Sequence, residues 1–137
     1  MVAACSGSLV VAGIAAAEPQ TAARPVVVEI FLSQSCKRSP SAVETLTAIG
    51  ARSDIAALGY HVPYWDSIPA LDAGVWSDPF ARPEFAERQK VYNRRIRRTD
   101  MVYTPQAVID GVFYAVGSKR DALNARIVEA KALDEHA

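Results

Sequence analysis

Cysteine and histidine are scarce in this chain: 137 residues hold two of each, Cys5 and Cys36, His61 and His136. With Cys5 in the uncharged N-terminal run and His136 in the C-terminal tail, Cys36 and His61 are too few for the three or four ligands of a zinc site, so no metal is expected. The glycine-rich signatures of phosphate and dinucleotide binding, G-x-x-x-x-G-K-[ST] and G-x-G-x-x-G, are absent too, and no cofactor follows. A surplus of one charge is also missing. Fifteen basic and fifteen acidic side chains cancel, which removes the electrostatic reason to expect nucleic acid or an anionic membrane as the main partner. The uncharged run Met1 to Ala17 falls short of the ~20 apolar residues that span a bilayer, so no integral membrane segment is expected. Nothing points to the base and oxyanion hole that a serine hydrolase would need.

What is present describes one ordinary domain, half of it apolar, with enough chain for a real core. Residues 1–17 are rich in Ala, Val and Gly and end in Ala15-Ala16-Ala17 before Glu18, the small-residue pattern of a signal-peptidase site. They read as a secretory signal, which makes the protein periplasmic or secreted. Val2-Ala3-Ala4-Cys5 matches a lipoprotein acylation site in letters, but no apolar stretch precedes it. Residues 18–25, with Pro19 and Pro25, read as a flexible lead-in to a domain over 26–133. Once the signal is removed, Cys36 has no partner for a structural disulfide in its own chain. It is free, or joined to something else.

The stretch Arg24 to Ser41 orders itself as strand, turn, thiol, helix. Val26, Val27, Val28, Ile30 and Phe31 form a nearly unbroken β-branched and aromatic run, which fits a strand covered on both faces. Ser33 to Ser35 break it, and Pro40, Ala42, Val43, Leu46 and Ile49 then recur at helical spacing, with Gly50 to end the helix. Cys36 at a helix N-terminus, flanked by Lys37 and Arg38, is expected to favour thiolate; such settings bring a cysteine pKa from ~8.5 to ~3.5–7.5. Residues 55–60 predict a second strand, parallel to the first. A right-handed crossover then brings His61, Tyr64 and Trp65 to the edge that carries Cys36. His61 there can exchange a proton with Cys36, or be an interfacial histidine with a backbone partner.

Residues 63–83, rich in Pro, Asp, Ser, Gly and aromatics, predict a long loop, either a cover for the site or a small core of its own around Trp65 and Trp76. Pro83 opens a helix with Phe85, Gln89, Tyr92 and Ile96 on one face and Arg88, Lys90, Arg94, Arg95, Arg97 and Arg98 on a solvated remainder. Thr104-Pro105, Ala107 to Ile109, Asp110-Gly111 and Val112 to Val116 read as a β-hairpin. Ser118 with Asp121 predicts a capping-box start to a last helix, whose Leu123, Ile127 and Ala130 face the sheet.

The run E-I-F-L-S-Q-S-C-K-R-S-P, from Glu29 to Pro40, resembles the signature of a bacterial family of exported, thioredoxin-like proteins of unknown function, usually close to E-L-F-T-S-Q-G-C-S-S-C-P. The resemblance continues in G-Y-H-V-P-Y-W-D (Gly59 to Asp66), D-P-F-A-R-P-E-F-A-E-R-Q (Asp78 to Gln89) and V-Y-T-P-Q-A-V-I-D-G (Val102 to Gly111), and covers about Pro25 to Ala130. It implies an α/β, thioredoxin-like fold: a central mixed four-stranded sheet, flanking helices, and a helical and loop insertion before the cis-proline strand. It also makes Pro105 that cis-proline, facing Cys36, with the Thr104 backbone free to pair with an extended substrate. Two positions depart from the pattern: Ser39 replaces the second cysteine, and Pro63 stands where Asp is usual. Family members tend to carry a further β-rich part, so this chain reads as a shortened member or a piece of one.

What the resemblance implies is a monothiol, Cys-x-x-Ser thiol-disulfide exchange protein. Cys36 would be its nucleophile, with the Ser39 hydroxyl beside it, and Thr104, Pro105, His61, Tyr64 and Trp65 would line the substrate. Its partner would be a disulfide- or thiol-bearing protein, or glutathione. The alternative is a redox-inactive thioredoxin-fold binding module.

Overall fold

The chain is laid out on strand β1, Val26–Leu32, which is covered on both faces along nearly its whole length. The computed structural model describes residues 24–67 and 76–134. The expected signal, most of the lead-in, residues 68–75 of the long loop and His136 lie outside the described residues. Helix α1 (Ser39–Gly50) follows β1 and returns to β2 (Ile55–His61), which lies parallel to β1 with Val26 opposite Ile55 and Leu32 opposite His61. Helix α2 (Pro83–Tyr92) comes next, then the hairpin β3 (Gln106–Ile109) and β4 (Phe113–Val116), and finally α3 (Arg120–Asp134). The sheet order is β2-β1-β3-β4, with β3 antiparallel to both β1 and β4. This is the mixed four-stranded, thioredoxin-like α/β arrangement that the resemblance implies.

Strand alternation divides the core into two layers. Val26, Val28, Ile30 and Leu32 point to the face covered by α1 and α3, where Ala42, Ile49, Leu123, Ile127 and Ala130 meet them. Phe31 and Val108 point the other way, toward Ala86 of α2 and the half-buried rings of Tyr60, Phe85 and Tyr92. Glu29 lies on this second face, buried in mid-strand. Its carboxylate accepts from Arg88 Nε at 2.6 Å and from the Tyr92 hydroxyl. Burying an unpaired carboxylate would be costly, so Arg88, on the solvated face and half exposed, also serves the core by pairing with Glu29.

Three expectations need correction. The helix opened by Pro83 does not run regularly to Arg98: after Tyr92 it widens into a π-helical stretch, Asn93–Arg97, and Arg98 ends it at φ 57°. There Asn93 is buried and donates to Gln106 Oε1 at 3.0 Å, so a tertiary bond accompanies the irregularity. The long loop is not structureless at its start, where Pro63–Trp65 form a 3₁₀ turn. Ser118 does not cap α3: it lies one residue ahead of the cap position, where the Lys119 carbonyl accepts the Leu123 N–H at 3.0 Å. Among the described residues, no helix is long and apolar enough to cross a membrane.

Candidate functional site

The C-terminal ends of β1 and β2 open on one edge, and the chain beyond Leu32 turns tightly there. The Cys36 N–H donates to Ser33 O at 3.1 Å and the Ser39 N–H to Cys36 O at 2.9 Å. The Ser33 N–H in turn donates to Ser39 Oγ at 3.1 Å. Pro40, in the first turn of α1, has no N–H to leave unpaired. Cys36 therefore stands in the turn just ahead of the helix, with Lys37 and Arg38 exposed beside it.

The thiol itself is only 3% exposed. Its Sγ–H donates to the carbonyl of Thr104 at 3.7 Å, a weak hydrogen bond. The Thr104-Pro105 peptide is cis. The Thr104 side chain is held as well, since Trp65 Nε1 donates to its Oγ1 at 2.6 Å. Cys36, Thr104, Pro105 and Trp65 thus converge. Tyr64 joins them at a remove: its hydroxyl donates to Gln89 Oε1 at 3.1 Å, and Gln89 Nε2 donates to Tyr103 O and Gln106 Oε1, each at 2.8 Å. Burial pushes the Tyr64 phenol well above its ordinary value, the nearby Cys36 adds to this, and the hydrogen bond to Gln89 opposes it.

His61 is on the expected edge but is bonded to a different residue. Its Nδ1 lies 2.6 Å from Oδ2 of Asp78, and that same oxygen accepts the Gln34 N–H at 2.8 Å. Asp78 Oδ1 takes the Phe80 N–H at 3.0 Å, and Asp66 Oδ1 takes the Asp78 N–H at 3.2 Å. Burial opposes ionisation of Asp78 most strongly, but the Gln34 and Phe80 N–H groups and His61 outweigh it and hold the carboxyl below its usual range. Asp78 is thus a buried latch between the end of β2 and the turn that carries Cys36.

The described end of the long loop lies over that turn. Trp76 Nε1 donates to Gln34 Oε1 at 3.3 Å, and Ser35 Oγ donates to Trp76 O at 3.4 Å. Trp65 packs against the Phe31 and Val62 layer, whereas the rings of Trp76 and Phe80 are largely exposed. The D-P-F block pointed to this segment in sequence, and the bond from Phe80 is local, but Gln34 and His61 sit 44 and 17 residues from Asp78, and no spacing rule reaches them. Gln89 is buried, in keeping with its place on the apolar face of the helix, whereas Asn93 and Gln106, buried beside it, look like surface residues in sequence until α2 is seen against β3. Among the described residues, no group of three or more His, Cys, Asp or Glu side chains is placed to hold a metal ion.

A family model described as "Protein of unknown function (DUF1223)" matches residues 27–137. A crystal structure of a protein from Agrobacterium tumefaciens, a structural genomics target, is similar with a TM-score of 0.70 and 35% identity, over 82% of this chain and 47% of that one. The chain therefore spans about half the length of that protein. The comparison with curated proteins found no match.

Proposed function

The chain belongs to the DUF1223 family of proteins of unknown function, and within it we propose a monothiol thiol-disulfide exchange protein that works in the periplasm or after secretion. One observation carries the reading: the only described thiol lies against the backbone of Thr104, 68 residues away in sequence, at the entry to β3. An extended chain pairing there would bring its disulfide to Cys36. Once deprotonated, Cys36 attacks one sulfur of that disulfide; the old S–S bond breaks as the new one forms, and the departing sulfur leaves as thiolate and takes up a proton. Ser39 has no sulfur, so a second, external thiol must attack Cys36 to release the product.

The near-complete burial of Cys36 favours a second reading, a thioredoxin-fold binding module whose thiol is inert and whose partner meets Trp76 and Phe80. Mass spectrometry with oxidised glutathione separates the two. The exchange reading expects an adduct of one glutathione that maps to Cys36, persists without reductant and is released by added thiol. If the native protein forms no adduct while the same chain in urea does, the binding module takes its place.

A further inference from the structure

At the other end of β1, roughly 17 Å along the strand from its thiol end, the α2 layer leaves a cavity of about 450 Å³. Arg24, Glu29, Arg88, Tyr92, Arg95 and Asp110 line it, so three guanidinium groups face two carboxylates. The carboxylates are already occupied. Asp110 Oδ1 accepts the Val27 N–H at 2.8 Å and Arg24 Nη1 at 3.1 Å, and its Oδ2 accepts Arg24 Nη2 at 3.3 Å. Both oxygens of Glu29 are taken by Arg88 and Tyr92. What the cavity has unused are donors.

Arg88 engages Nε with Glu29 and Nη2 with the Tyr92 hydroxyl, at 2.8 Å, and its Nη1 makes no hydrogen bond among the described residues. Its guanidinium lies over the rings of Tyr92 and Tyr60, 5.1 and 5.6 Å from their centroids, which holds its plane. Arg95 is exposed and makes no ion pair or hydrogen bond among the described residues. Arg88 and Tyr92 share one stripe of α2, and Arg95, in the π-helical continuation, lines the same cavity. An excess of positive charge and of fork-shaped donors, set in a concave site of small-molecule size, selects an oxyanion.

We propose that this cavity binds a small organic anion, whose carboxylate or phosphate group is held by Arg95 and the unused edge of Arg88. It is a second site, separate from the thiol and not dependent on the exchange reading. The test is a titration of the full chain with sodium phosphate and, separately, with citrate, at ionic strength held constant with chloride. Amide NMR shifts of Val27 and Gly111 are the readout. Saturable shifts are expected, and the stronger of the two probes identifies the headgroup. Arg95→Gln, at an exposed position, should weaken binding about tenfold, the loss of one charge-assisted contact. Arg95→Lys, which keeps the charge and loses the fork, should fall between. Arg126→Gln, on α3 and paired with Glu129, should change nothing. Shifts that never saturate with either probe, or that fall equally in Arg95→Gln and Arg126→Gln, would overturn the proposal.

Discussion

Asp78 has the most to explain among single residues, because a carboxylate with no exposed side-chain surface has to be matched by donors. Gln34, Phe80 and His61 supply them. Asp78→Asn keeps the shape but replaces one acceptor with a donor, and we expect a loss of about 2 kcal/mol in urea unfolding at neutral pH. The acid dependence gives a second reading of the same bond. The folded-state value is depressed, so the stabilisation is complete above the unfolded value of ~4 and is lost as pH falls through the folded one. Asp78→Asn should therefore flatten the loss of stability below about pH 4; a variant as acid-sensitive as the parent would show that the carboxylate is not what titrates. Tyr92 tests the opposite sign. Burial first, then the bond to Glu29 and its charge, push its phenol up to about 12 against the opposing pull of Arg88. This stabilisation is present below ~10 and is lost as pH rises through the folded value. In Glu29→Gln the tyrosinate absorbance of Tyr92 should appear at lower pH, moving toward ~10 without reaching it because burial remains. An unmoved midpoint would remove Glu29 from the explanation.

At the scale of elements, much of the fold could be read from pattern. β1 shows as a β-branched run, α1 by its apolar spacing after Pro40, and the hairpin by Asp110-Gly111. These are local signals, and the structure keeps them. Asp110 and Gly111 have positive φ, 48° and 69°, and the Val112 N–H closes the turn on Ile109 O at 3.0 Å, which leaves a three-residue loop between the paired Ile109 and Phe113. A Cβ on Gly111 would also come within 3.3 Å of the Tyr92 ring. Gly111→Ala should thus cost about 1–2 kcal/mol, measured as a lower urea midpoint with an unchanged slope; a neutral result would mean that the turn relaxes freely. What pattern could not reach were elements set by tertiary bonds. The π-helical stretch exists with Asn93 turned inward to Gln106, and Arg88, still half exposed, reaches in from the solvated face because Glu29, on a strand 59 residues earlier, needs a cation. The candidate site divides in the same way. Cys36, Thr104, Pro105 and Trp65 could be gathered from strand ends and from the resemblance, whereas the pairing of His61 with Asp78 had no local signature.

For the molecule as a whole, the open question is how a thiol that is 3% exposed meets another sulfur. Either the domain unfolds or a part of it lifts away. The two layers of the core make these routes separable. Ile127 belongs to the α1 and α3 side, far from the latch, and Ile127→Ala should lower global stability by roughly 2–5 kcal/mol through the cavity it leaves. Asp78 joins the segment from Trp76 to Phe80 to the Cys36 turn by a few hydrogen bonds, and segments held in this way open at well below the global cost. If local opening exposes the thiol, labelling of native Cys36 by a thiol reagent should accelerate about tenfold in Asp78→Asn, in line with the loss of one bond to a buried charge. Ile127→Ala should then leave the labelling rate nearly unchanged despite its larger effect on stability. The reverse ranking, with labelling that follows global stability across both variants, would mean that Cys36 is reached only by unfolding. A thiol reached only in that way cannot turn over a folded substrate, and the binding-module reading would then be the one that stands.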